Sequence, residues 1–218
     1  MRDKPVMENL EELFRKIGVV PVIAIKDADT AVPLAKALVK GGLPAAEVTF
    51  RTDAAEESIR RMAAEVPEIY VCAGTVLDPE TAERAVKAGA RAIISPGLNL
   101  DTIDWCLSHD VPVIPGTMTP TEVELCMRKG LRFVKFFPAK AAGGVPMLNA
   151  FAGPYASMHF MPTGGVKPDN LADFLGCKNV VACGGTWIVP GDALANGDFA
   201  AIEKLASDAA AQVREIRG

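Results

Sequence analysis

Short apolar, β-branched runs alternate along this chain with amphipathic helical stretches, and that alternation is its strongest constraint. The strand candidates are residues 19–25, 45–50, 69–73, 91–95, 112–116, 132–137, 159–163 and 180–184. Between them lie helical patterns such as DADTAVPLAKALVKGG (27–42), DPETAERAVKAGA (78–90) and TPTEVELCMRKG (119–130), opened by Asp or Thr and closed by Gly. Strand and helix in strict succession mean a parallel sheet, because parallel neighbours need a crossover between them. We count eight such units after one leading helix, whose apolar face is Leu10, Leu13, Phe14 and Ile17. The pattern predicts an α/β fold, a (β/α)8 TIM barrel with an extra N-terminal helix, as one domain over 1–218. An open doubly wound sheet is the alternative. It would normally carry a Gly-rich turn after the first strand, where this chain has KDAD.

Half of the residues are apolar and the formal net charge is -4, with both signs interspersed. Nothing resembles a basic nucleic-acid face, a membrane span or a cleaved leader, so neither nucleic acid nor membrane is an expected partner. The five cysteines form no C-x-x-C pair. That spacing points to a reducing, cytoplasmic compartment. Only two histidines occur, His109 and His159, and neither clusters with other metal-ligand types, so no metal is expected.

Barrel chemistry sits at the C-terminal ends of the strands. Lys135, inside RFVKFFP, is the sharpest signal there. A lysine rarely occupies a buried strand unless paired or functional. Desolvation of an ammonium favours the neutral amine, the form that attacks a carbonyl. In AEVTFRT, Glu47, Thr49 and Arg51 share a face if the strand reaches Arg51. Glu47 then offers a general acid/base and Arg51 a carboxylate grip, while a structural ion pair between them is an equally good reading. Two glycine turns, Gly164–Gly165 in TGGVKPDN and Gly184–Gly185 in GGT, follow the seventh and eighth strands. That is the usual phosphate position of this fold, and KPDN could open a helix whose N–H groups face the anion. Thr75, Pro96, Gly116 and Thr117 follow other strands, where turn chemistry explains them equally well.

Together, AEVTFRT, AGT, SPG, VIPG, FVKFFPA, MPTGGV and CGGTWIVP resemble the class I 2-keto-3-deoxy-6-phosphogluconate aldolases, a family that includes 4-hydroxy-2-oxoglutarate aldolases. The resemblance runs from about Val19 to the C-terminus. It implies retro-aldol cleavage of a 2-keto acid to pyruvate and glyceraldehyde 3-phosphate, without metal or organic cofactor, in a homotrimer. It also implies Lys135 as the Schiff-base lysine and Glu47 as the proton-transfer group. Arg51 and Thr75 would hold the pyruvate carboxylate, and Pro96 and Phe137 would wall the pocket. Thr163 would meet a substrate hydroxyl, and Gly164, Gly165 and Thr186 the phosphate, beside Gly184 and Gly185. Thr186 stands where the family often carries Ser. The rivals are an aldolase preferring unphosphorylated 4-hydroxy-2-oxoglutarate, a galactonate-type 6-phosphate aldolase, and a phosphate-binding barrel with no covalent step.

Overall fold

The computed structural model describes residues 5–218, with side chains from Leu10 onward. The first four residues, part of the charged opening read above as no leader, lie outside the described residues. The strands are β1 (Val19–Ile23), β2 (Ala45–Thr49), β3 (Tyr70–Gly74), β4 (Ala92–Ile94), β5 (Val113–Ile114), β6 (Gly116–Thr117), β7 (Phe133–Phe136), β8 (His159–Pro162) and β9 (Cys183–Gly185). The helices are α1 (Pro5–Ile17), α2 (Ala31–Lys40), α3 (Ala55–Glu65), α4 (Pro79–Lys87), α5 (Leu100–Ser108), α6 (Pro120–Arg128), α7 (Gly144–Ala152), α8 (Leu171–Leu175), α9 (Gly191–Ala195) and α10 (Phe199–Arg217).

All paired strands are parallel. One sheet runs β5-β4-β3-β2-β1-β9 and a second runs β6-β7-β8. Pro115, which has no N–H to give a ladder, separates β5 from β6, so one expected strand becomes two short ones. Isolated parallel bridges, Phe160 to Val180 and Thr163 to Gly184, link the β8 region to the β9 region. Of the expected strand 180–184, only its end is regular, and β9 starts at Cys183.

Local chemistry sets the helix starts. Asp78 accepts from Thr81 N at the head of α4, and Asn99 from Thr102 N at the head of α5. Thr119 and Glu122 form a reciprocal capping box on α6. The leading helix has a distinct task. Its Phe14 meets Tyr70 and Phe133 edge-on, with ring centroids 6.2 and 6.1 Å apart. Those residues open β3 and β7, so α1 closes the N-terminal ends of the strands. The opposite, C-terminal ends carry the connections on which the sequence signals fall. No described helix is long and apolar enough to cross a membrane.

Candidate functional site

Lys135 is the third residue of β7, and the strand's two-residue period decides its surroundings. Val134 and Phe136 are fully buried, and Phe136 packs edge-on against Phe151 of α7, on the helix side. Phe133 faces α1, and Lys135 follows it two residues further up the strand on that same face. The residue is 4% exposed. Its Nζ lies 5.4 Å from the ring centre of Phe137 and donates to Glu47 Oε1 at 2.9 Å.

Glu47 is the central residue of β2, in register with Val22 of β1 and Cys72 of β3. It is 1% exposed, and its second oxygen, Oε2, is buried with no hydrogen-bond partner among the described residues. A buried carboxylate with one oxygen engaged is poised to accept a further donor. The space it occupies exists because Gly74 lacks a side chain. A Cβ there would come within 2.4 Å of Oε1 and 2.6 Å of Cγ of Glu47. Gly74 stands one residue before Thr75 in the AGT motif and is a site residue that the turn chemistry of Thr75 hides. The available signal was a glycine inside a strand, which marks close approach of another group. Burial raises the Cys72 thiol well above its ordinary range, and the Glu47 carboxylate adds to that. The thiol therefore stays neutral beside the pair.

Arg51 departs from expectation. The strand ends at Thr49, so Arg51 stands on the following turn and is exposed. The chain turns where the hydroxyls of Thr49 and Thr52 reach back to the carbonyls of Ile23 and Ile25. Glu47 pairs with Lys135, and among the described residues no carboxylate pairs with Arg51, so the structural ion pair between Glu47 and Arg51 is not formed. Arg51 instead lines, with Phe50, Thr52, Thr75, Leu77 and Arg84, a cleft of about 300 Å³ at the strand ends. Thr75 holds a left-handed backbone, φ 56°, which is uncommon for a β-branched residue and clusters at functional sites.

The glycine turns come together with Thr163. Gly184 bridges Thr163, and a Cβ on Gly184 would sit 2.2 Å from its Oγ1. A Cβ on Gly185 would strike the Trp187 ring at 2.4 Å, so Gly185 serves packing. Gly164 and Gly165 take φ of 96° and 81°, conformations that glycine adopts without strain. Thr163 O and Gly164 O accept from Ala139 N and Lys140 N, which ties this turn to the loop after β7. Gly165 and Thr186 are exposed. The KPDN segment opens a short helix through a 3-10 turn: Pro168–Asn170 is 3-10, α8 follows at Leu171, and the Lys167 N–H is taken by Asn170 Oδ1 at 2.8 Å. Pro96 is half-buried, and its carbonyl is approached so closely by Gly116 that a Cβ there would come within 2.2 Å. Thr117, fully buried, donates to the Lys135 carbonyl at 3.1 Å.

The family model for KDPG and KHG aldolases matches residues 10–205. An Escherichia coli protein named KHG/KDPG aldolase is 49% identical over 199 residues, 91% of this chain and 93% of that protein. A Pseudomonas aeruginosa protein named 2-dehydro-3-deoxy-phosphogluconate aldolase is 41% identical over 97% of this chain and 99% of its own. Among solved structures, the KDPG aldolase of Legionella pneumophila, with pyruvate captured at low pH as a covalent carbinolamine intermediate, superposes with a TM-score of 0.88. It is 38% identical, over 91% of this chain and 96% of that one. The KDPG aldolase of Zymomonas mobilis with 3-phosphoglycerate gives the same TM-score and identity, over 94% of this chain and 96% of that one. With a model matched over most of its length and relatives this similar, the chain belongs to the KDPG and KHG aldolase family.

Proposed function

We propose that this protein is a metal-independent class I aldolase that cleaves 2-keto-3-deoxy-6-phosphogluconate to pyruvate and glyceraldehyde 3-phosphate through a Schiff base on Lys135. The observation that carries the reading is the buried Lys135–Glu47 contact of 2.9 Å. The ammonium proton can pass to the carboxylate, leaving an amine to add to the C2 ketone; Glu47 then returns that proton to the carbinolamine hydroxyl, which leaves as water, so that an iminium electron sink forms beside a carboxylate free to act as base again. Glu47 takes the proton of the C4 hydroxyl, the C3–C4 bond breaks, and its electrons form the enamine. Glyceraldehyde 3-phosphate departs, Glu47 returns a proton to C3, and hydrolysis frees pyruvate and the lysine. Arg51 and Thr75 take the carboxylate, Pro96 and Phe137 wall the pocket, and Thr163 meets a substrate hydroxyl. Gly164, Gly165 and Thr186, beside Gly184 and Gly185, receive the phosphate.

The same reading makes the two sheets one closed (β/α)8 barrel in a single domain, supported by the bridges at Val180 and Gly184 and by the one-residue break at Pro115. A cytoplasmic location fits five free, buried thiols. A homotrimer fits the exposed Leu77, Leu100 and Met118, on the β3–α4 connection, at the head of α5 and on the β6–α6 connection, apolar side chains that a second protomer would cover. Cleavage of 4-hydroxy-2-oxoglutarate to pyruvate and glyoxylate is a second reading, favoured by the double name of the Escherichia coli relative.

The test is covalent trapping. Borohydride reduction with pyruvate should leave a mass adduct on Lys135. Lys135→Ala should lose both adduct and turnover, whereas EDTA should change neither. A fully active protein with Lys135 unmodified would end the proposal. Steady-state comparison of phosphorylated and unphosphorylated substrates decides between the two readings.

A further inference from the structure

Arg51 stands past the end of β2 on an exposed turn, where a long side chain would ordinarily sample many rotamers. One contact orients it: its Nε donates to Thr49 Oγ1 at 3.0 Å. That oxygen belongs to a residue only 1% exposed, and its own proton goes to the Ile23 carbonyl of β1 at 2.8 Å. A hydroxyl has one proton and two lone pairs. With the proton committed to the backbone, the oxygen can face Arg51 only as an acceptor. Because Nε is taken, the guanidinium edge left for a ligand is the pair of Nη groups, which matches a carboxylate bidentately.

From this we infer that Thr49 is a positioning residue for substrate: it clamps Arg51 through Nε, so that Nη1 and Nη2 meet the 2-keto acid carboxylate end-on. The inference rests on the reading of Arg51 as the carboxylate grip. Thr49 also explains why the grip survives the early end of the strand. The strand period no longer points Arg51 inward, and the hydroxyl two residues earlier replaces it as the source of direction. The neighbouring Thr52 hydroxyl, bonded to the Ile25 carbonyl, fixes the turn but does not contact the guanidinium.

The experiment measures half-saturation for borohydride trapping on Lys135 with two probes, pyruvate and hydroxyacetone, a ketone without a carboxylate. Thr49→Val keeps shape and strand preference but removes the acceptor. It should raise pyruvate half-saturation about 10-fold, the order expected for one lost hydrogen bond to a charged group. Trapping of hydroxyacetone should stay unchanged. Thr49→Ser should restore pyruvate binding, and Thr49→Val added to Arg51→Ala should cost nothing further. Should Thr49→Val fail to fold, Thr49→Ala carries the same expectations. Equal losses with both probes, or a full further loss in the double variant, would show that Thr49 supports the fold and not Arg51. Unchanged pyruvate binding in Thr49→Val beside a weakened Arg51→Ala would overturn the clamp alone. Unchanged binding in Arg51→Ala itself would remove the carboxylate role of Arg51, and the clamp with it.

Discussion

Replacing Gly74 by alanine tests how closely the position of Glu47 governs catalysis. The new Cβ would lie 2.4 Å from Glu47 Oε1, 2.6 Å from Cγ and 2.9 Å from Cδ. Ordinary carbon–oxygen contact begins near 3.4 Å, so the carboxylate must retreat by roughly 1 Å. It has little room, because Oε1 is held by Lys135 and the residue is 1% exposed. Misplacement of a reacting group by about 1 Å can cost on the order of 100-fold in rate, and we expect that loss in kcat for aldol cleavage. Exchange of pyruvate methyl protons with deuterium should fall in parallel. Overpacking should lower stability by about 1–3 kcal/mol, a drop in Tm of roughly 3–10 °C at this chain length. Below that Tm the protein remains folded, so trapping on Lys135 should persist and separate displacement of Glu47 from loss of the lysine. Gly191→Ala, where a Cβ meets nothing within 4 Å, is the control. Wild-type proton exchange in Gly74→Ala would refute the argument that this glycine seats the carboxylate.

Three further outcomes follow from the same geometry. Glu47→Gln keeps the shape of the side chain but cannot take a proton; pyruvate trapping should survive at a lower rate, while proton exchange and cleavage fall by about 10²–10⁴-fold, and wild-type exchange would make Glu47 a structural partner of Lys135 only. Gly164→Val places a β-branched side chain at φ 96°, beside Phe137 and Pro138; KM for the phosphorylated substrate should rise far more than that for 4-hydroxy-2-oxoglutarate, and equal losses would assign the glycine to the fold. All five cysteines are buried, and burial raises every thiol, Cys106 and Cys126 to about 12, so the native protein at pH 8 should show no rapid reaction with a thiol reagent until denaturant is added; a fast-labelling Cys72 would contradict its placement beside Glu47.

The sequence alone determined the alternation of parallel strands and helices, the leading helix, and the short list of residues on which chemistry could rest. These were legible because they depend on local periodicity and on residue types out of place, such as a lysine among Val134, Phe136 and Phe137. The partner of Glu47 was not legible. Arg51 is four residues away in the chain, whereas Lys135 is separated by 88, and only the tertiary fold, which lets the Lys135 side chain reach from β7 to Glu47 on β2, brings the latter within 2.9 Å. Where β2 ends was equally hidden, because the hydroxyls that turn the chain bond to carbonyls of β1. Gly184 reads as a turn residue, and the role of Gly74 stays hidden, until the side chains of Thr163 and Glu47 occupy the space where their Cβ atoms would be. Periodicity reports which face a residue takes along its own strand; what it meets there is set by neighbours distant in sequence, and those only the tertiary structure supplies.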